Sequence, residues 1–158
     1  MLIGLSEVYR HQGKNAEAIS LVERSLKIRE EALGPEHFYV ADSLNTLGAL
    51  YHHEGMYTEA EPIYMRSLKI KETALGPQHP SVSMTIYNLA ELYRVIGNYS
   101  KAESMFLKAV EIREKALGPD DPSVAHFCEN LGKFYRQIGQ NAKAEKFEAR
   151  AKKTRTMP

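Results

Sequence analysis

The chain has a single cysteine, Cys128, in 158 residues. It can form no disulfide within the chain, so a disulfide-stapled secreted fold is excluded and a reducing compartment, the cytoplasm, is the expected location. Tryptophan is absent and proline is limited to seven residues, which argues against a fibrous or disordered chain. Charge of one sign is also lacking. A formal net charge of +1 gives no global pull toward nucleic acid or an anionic membrane, and neither is an expected partner. Long apolar runs are missing too. Met1-Leu2-Ile3-Gly4-Leu5 has no basic flank and meets Ser6-Glu7 at once, too short and too polar for a signal peptide or a membrane span. What remains is ordinary for a folding chain, 43% hydrophobic and 26% charged, at a length that suits one domain.

The informative feature is a repeat. Gly13, Gly55, Gly97 and Gly139 stand 42 residues apart, as do Tyr9, Tyr51, Tyr93 and Tyr135, and Ala18, Ala60, Ala102 and Ala144. Leu33-Gly34-Pro35, Leu75-Gly76-Pro77 and Leu117-Gly118-Pro119 keep the same period. Each repeat therefore has two punctuation points, a lone glycine and a Gly-Pro pair, and both are ways in which helices stop. Starts are legible as well. His79-Pro80 and Asp121-Pro122 put proline at a first helical position, with Asp121 as a good N-cap, and Phe38 takes the place of that proline one repeat earlier. Thr58 with Glu61 and Ser100 with Glu103 have capping-box spacing, and Pro62 a turn later is expected to kink the helix slightly.

The reading is four helix pairs, 1–12 with 15–33, 37–54 with 57–75, 79–96 with 99–117, and 121–138 with 141–154, and no strand. In the first helix of each pair, Val40, Leu44, Leu47 and Tyr51 step by four, three and four along one face. Val82, Ile86, Leu89 and Tyr93, then Val124, Cys128, Leu131 and Tyr135, repeat the pattern, with Gly48, Ala90 and Gly132 as small residues for close approach. One hairpin cannot bury such a face, so neighbours must stack. The expected fold is all-α, an α-solenoid of four antiparallel helix-turn-helix repeats spanning roughly 1–34, 37–76, 79–118 and 121–155 of a single domain, 1–158.

These residues resemble the tetratricopeptide repeat: Leu47-Gly48-x-x-Tyr51, Gly55, Ala60, Tyr64 and Ser67 in one repeat, then Leu89-Ala90-x-x-Tyr93, Gly97, Ala102, Phe106 and Ala109 in the next. The period of 42, with Leu-Gly-Pro-x-His-Pro between repeats, is similar to the long-repeat subclass of kinesin light chains and nephrocystin-type proteins. That subclass tends to carry two adjacent asparagines in the first helix. This chain has one per repeat, Asn45, Asn88 and Asn130, so cargo preference is not carried over. The last helix replaces the aromatic of Tyr64 and Phe106 with Glu148 and reads as a polar terminal cap, whereas the first helix starts uncapped, as in a fragment of a longer array.

The resemblance places the strip opposite the packing face on a concave surface, where family members grip peptides. The strip holds Asn45 and His52 in the second repeat, Tyr87, Asn88, Glu91 and Arg94 in the third, and Glu129, Asn130, Lys133 and Arg136 in the fourth. Its composition varies while the packing face repeats, which suits recognition of an irregular segment and equally suits solvent exposure. Asparagine amides can donate to and accept from a peptide backbone. With Glu91 and Glu129 among the cations, the charge of the ligand stays open.

Other constellations carry less. The tyrosines keep the packing register and so are core, not a stacking platform for bases. His11, His52 and His53 lack the i, i+4 or His-Glu-x-x-His spacing of metal ligands, and no metal or other cofactor is expected. Cys128 and His126, two apart on a helix, point away from each other and form no catalytic pair. Asp120-Asp121 lacks the rest of a calcium loop, and the Gly-Pro elements lack the lysine of a phosphate loop. The stripe Lys143, Lys146, Arg150 and Lys153 reads as the solvated face of the final helix. The expectation is a non-enzymatic adaptor that binds a peptide segment of a partner protein. The alternative is a structural array that self-associates or spaces domains through its apolar ends, its uncapped first repeat or its convex face.

Overall fold

The computed structural model describes residues 14–155, so the expected helix 1–12 lies outside the described residues. Contacts divide the chain into two compact units, 1–76 and 77–158.

The first unit contains α1 (Asn15–Leu33), α2 (Phe38–His53) and α3 (Tyr57–Leu75), with α2 packed against both neighbours. The second contains α4 (Pro80–Val95), α5 (Tyr99–Leu117), α6 (Pro122–Gln137) and α7 (Asn141–Arg155), paired as α4/α5 and α6/α7, with α5 against α6. No strand occurs among the described residues. Each helix lies within one residue of the span expected from the repeat.

The punctuation works in two ways. After α4 the Asn98 N–H donates to the Tyr93 carbonyl at 2.8 Å across Gly97, whose φ of 81° is the left-handed conformation of a Schellman stop. Gly118, after α5, has φ 90° and ψ 157°, a region essentially reserved for glycine, and its N–H donates to the Glu114 carbonyl. Helix starts follow the expectation in the main. His37, His79 and Asp121 are N-caps, each side chain accepting from the backbone N–H two residues on, with Pro80 and Pro122 opening their helices. The capping boxes are a correction. Met56 and Asn98 are the caps of α3 and α5, which places Thr58 and Ser100 inside the first turn, and Asn98 itself accepts from the Lys101 N–H. Helix α3 runs on through Pro62, whose ring sits close enough to the start for few backbone bonds to be lost.

The expected packing face is buried in both units, down to Val82 and Leu89 at 0% exposure, except at Tyr51, which is half-buried with its hydroxyl donating to Glu23. A second stripe is buried as well: Ala41 and Leu50 on α2, Ser83 and Leu92 on α4, Ala125 and Phe134 on α6. A middle helix such as α2 or α6 has the preceding repeat's second helix on one side and its own partner on the other. Small residues allow this closeness. A Cβ on Gly48 would lie 2.8 Å from the Tyr64 ring, and one on Gly132 would lie 2.9 Å from Glu148 Cγ.

A cation also recurs at the same interval, half-buried at Arg29 and buried at Lys71 and Arg113. Arg29 donates to the Tyr39 carbonyl (2.8 Å) and Ser43 Oγ (2.9 Å), Lys71 pairs with Asp42 (3.1 Å), and Arg113 donates to Ser83 Oγ and the Pro80 carbonyl (both 3.0 Å). Lys71 and Arg113 are only 3% and 8% exposed. Their hydrogen bonds offset the cost of removing a charge from water and tie each second helix to the start of a first helix.

Candidate functional site

All ten strip residues fall on first helices: Asn45 and His52 on α2, Tyr87, Asn88, Glu91 and Arg94 on α4, and Glu129, Asn130, Lys133 and Arg136 on α6. Lys133 and Arg136 are exposed and the other eight are half-buried, because the two packing stripes flank the strip closely. In the first unit Asn45 and His52 lie two turns apart along α2, with the His52 ring 5.6 Å from Tyr57.

In the second unit the strips of α4 and α6 face each other across a cleft of about 190 Å³ lined by Glu91, Arg94, Asn130, Lys133, Phe134 and Gln137. Four of the expected residues meet here. Arg94 donates from Nε (2.9 Å) and Nη2 (2.7 Å) to Glu91 Oε2, and from Nη1 to Gln137 Oε1 (3.0 Å). Lys133 pairs with Glu129 one turn back at 3.1 Å. The Asn130 amide nitrogen donates to the His126 carbonyl (2.9 Å) and lies 3.2 Å from His126 Nε2.

Tyr87 joins these groups to the core. Its ring stacks on Phe127 with centroids 4.5 Å apart and meets Phe106 edge-on at 5.7 Å. Its hydroxyl is hydrogen-bonded to Glu91 and Asn130, and burial first, then the Glu91 charge, push its ionisation well above the usual phenol range. The phenol therefore stays neutral and acts as a spacer between two helices.

Arg136 has a different setting. Its guanidinium forks onto Glu148 of α7 at 3.0 and 2.8 Å and reaches Asn141 Oδ1 at 3.4 Å, with Glu148 holding its proton more firmly than usual. Glu148 occupies the register of Tyr64 and Phe106, so the terminal helix carries an ion pair where the internal ones carry an aromatic ring.

Two cleft residues were not in the expected strip. Gln137 continues the three- and four-residue steps from Asn130 through Lys133, and its register mates are His53 and Val95, so variability marked it. Phe134 shares a register with Leu50 and Leu92 and belongs to the second buried stripe.

Among the described residues no three His, Cys, Asp or Glu side chains gather as metal ligands, and no helix is long and apolar enough to cross a membrane. Cys128 is buried and burial raises its thiol ionisation, which leaves it a core residue.

The tetratricopeptide repeat family pattern matches residues 1–73, 39–115 and 81–156. No curated protein matches the sequence. Among solved structures, BtubC (BKLC) of P. vanneervenii is 29% identical over 98% of this chain with a TM-score of 0.86, and the chain spans 61% of that protein's length. A P. anserina protein described as a kinesin light chain with nearly identical TPR-like repeats is 24% identical over 99% of this chain and 75% of its own, with a TM-score of 0.85. MamA is 17% identical over 98% of this chain and 76% of its own, at a TM-score of 0.67, and speaks only to the fold. The fold class is thus all-α, of the tetratricopeptide-type α-solenoid, a framework that generally serves protein–protein interaction and is typically non-enzymatic. From its 42-residue register and its matches across nearly the whole sequence, the chain belongs to the tetratricopeptide repeat family, with repeats of the kinesin light chain-like kind.

Proposed function

We propose that this chain is a cytoplasmic, non-enzymatic adaptor that holds an extended peptide segment of a partner protein along the strips of its first helices, the whole chain acting as one binding domain. The observation that carries the reading is the α4/α6 cleft, where Glu91, Arg94, Asn130 and Lys133 converge from two helices on one opening. At about 190 Å³ it is smaller than the roughly 300–1,000 Å³ usual for a small-molecule site, and it suits a short stretch of chain passing through. Its side chains are held by one another, so little rotamer entropy is lost on binding. Asn88 is a further candidate contact in the same unit, and Asn45 and His52 are candidate contacts in the first unit. Arg136 is the weakest of the ten because Glu148 already holds it.

The experiment is site-specific photo-crosslinking from position 133, with position 146 on α7 as control. Partner peptides captured at 133 and absent at 146 support the reading. Equal labelling at both positions, or labelling at 146 alone, overturns it.

A second reading, self-association near the first repeat, is favoured by one observation: Ile28 and Leu33 on α1 are 48% and 46% exposed. Sedimentation of the chain against an Ile28→Glu variant separates the two. A dimer lost in the variant supports self-association, and a monomer in both leaves the adaptor reading standing.

A further inference from the structure

We infer that the α4/α6 cleft takes an uncharged, extended stretch of its partner, with Gln137 as a hydrogen-bond donor that reads the ligand backbone. The inference rests on the peptide-binding reading above and specifies the chemistry of that site.

The first argument is electrical. The cations on this face are matched by carboxylates of the same helix: Arg94 by Glu91 at 2.7 Å and Lys133 by Glu129 at 3.1 Å. The pairs cancel, so the opening attracts neither an acidic nor a basic side chain from a distance. A ligand carboxylate would have to displace Glu91 from a guanidinium held by three donor contacts, and would then face both glutamates. A ligand cation meets the same problem with the signs reversed. A neutral segment disturbs neither pair.

The second argument is a count of donors and acceptors. Asn130 commits its amide nitrogen to His126, and Gln137 commits its carbonyl oxygen to Arg94. With its nitrogen turned to His126, Asn130 has its amide oxygen as the acceptor end, and with its oxygen on Arg94, Gln137 has its amide nitrogen as the donor end. They stand seven residues apart on α6, about 10 Å along the helix. In an extended chain rising about 3.3 Å per residue, the N–H of one residue and the carbonyl of the residue two further on share an edge about 9 Å apart. That edge of a peptide complements the pair: its N–H to Asn130 and its carbonyl to Gln137. Phe134, a buried core residue, also lines the cleft and makes that part of its wall apolar.

The test uses the full chain and a displayed library of random linear peptides, with binders measured at about 50 and 500 mM salt. Enriched sequences should be uncharged at their centre, and affinity should change less than about twofold across that range. Gln137→Ala should weaken the selected peptides roughly three- to tenfold, the loss of one hydrogen bond. Because Gln137 is exposed, this variant should fold normally. Glu91→Gln frees the Arg94 charge and should shift the enrichment toward acidic peptides. Enrichment of Asp and Glu by the native chain, with affinity falling tenfold or more in salt, would overturn the inference and leave the adaptor reading intact. Binding unmoved by Gln137→Ala would likewise overturn it. If no peptide is retained, both fall.

Discussion

Arg113→Lys tests whether the buried cations hold the second unit together as described. The Arg113 guanidinium lies 4.5 Å above the Phe127 ring while donating to Ser83 Oγ and the Pro80 carbonyl. One period earlier the same position holds Lys71, whose ammonium is satisfied by Asp42. The counterpart of Asp42 beside Arg113 is Met84. A lysine at 113 therefore keeps the buried charge with a methionine in the place of Asp42 and with the charge of Asp121 acting on it. It gives up a desolvated cation–π contact, about 1–2 kcal/mol, and one of two charge-assisted hydrogen bonds, about 1.5–3 kcal/mol. Part returns as the ammonium turns toward the remaining acceptor, so the expected net cost is about 2–3 kcal/mol. Adding Met84→Asp recreates the Lys71–Asp42 pair one repeat along, with an expected coupling of at least about 1 kcal/mol in the double-mutant cycle. Urea unfolding followed by circular dichroism reads both quantities. At about 1–3 kcal/mol per molar urea, the single variant should move the midpoint by roughly 1 M. Hydrogen exchange across α4–α6 guards against the two compact units unfolding in separate steps. Arg113→Lys within about 0.5 kcal/mol of the native chain, or a double variant that is merely additive, would refute the reasoning.

Two further outcomes are expected. Gly118→Ala should cost about 1–3 kcal/mol through backbone strain alone, since its φ is 90° and an added Cβ meets nothing within 4 Å; an unchanged thermal melt would mean the Gly-Pro stop relaxes at no cost. Glu103 accepts from Lys143 Nζ (2.8 Å) and the Tyr135 hydroxyl (2.9 Å), and these bonds, Lys143 first, hold its carboxyl below the usual range. In the window between its folded and unfolded values the unfolded chain binds more protons, so this contribution is present above about pH 4.3 and is lost as pH falls through the folded value. Lys143→Met should therefore flatten the acid loss of stability below about pH 5, and parallel acid titrations of the two chains would contradict that.

Much of the fold could be read from the sequence because the signals agreed. Gly97, Gly118, Pro80 and Pro122 fixed where helices stop and start, and the 42-residue interval applied those limits to every repeat. The face through Val82, Ile86, Leu89 and Tyr93 followed from spacing alone. The second stripe did not, because Ser83 and Ala125 are small or polar and are buried only when a neighbouring helix covers them. The buried cations were hidden by chemistry. A Lys or Arg four residues before a helix end is ordinarily solvated, and only the recurrence of Ile28-Arg29-Glu30, Ile70-Lys71-Glu72 and Ile112-Arg113-Glu114 distinguishes it. For the candidate site, helical geometry selected four side chains that line the cleft. It left out Gln137, one step beyond the chosen strip, and included Arg136, whose engagement with Glu148 depends on how α7 folds back.

The double burial of the first helices limits how such a chain can change. With two stripes of α6 committed to α5 and α7, only a few positions per turn, such as 126, 129, 130, 133 and 137, can vary without disturbing the packing. Substitutions there touch few core atoms and typically cost little stability. A new ligand preference is therefore reachable by altering a handful of side chains one at a time, while the rest of each repeat stays as it is. Scaffold and reader are separate sets of residues on one helix, and selection can act on the second without reopening the first.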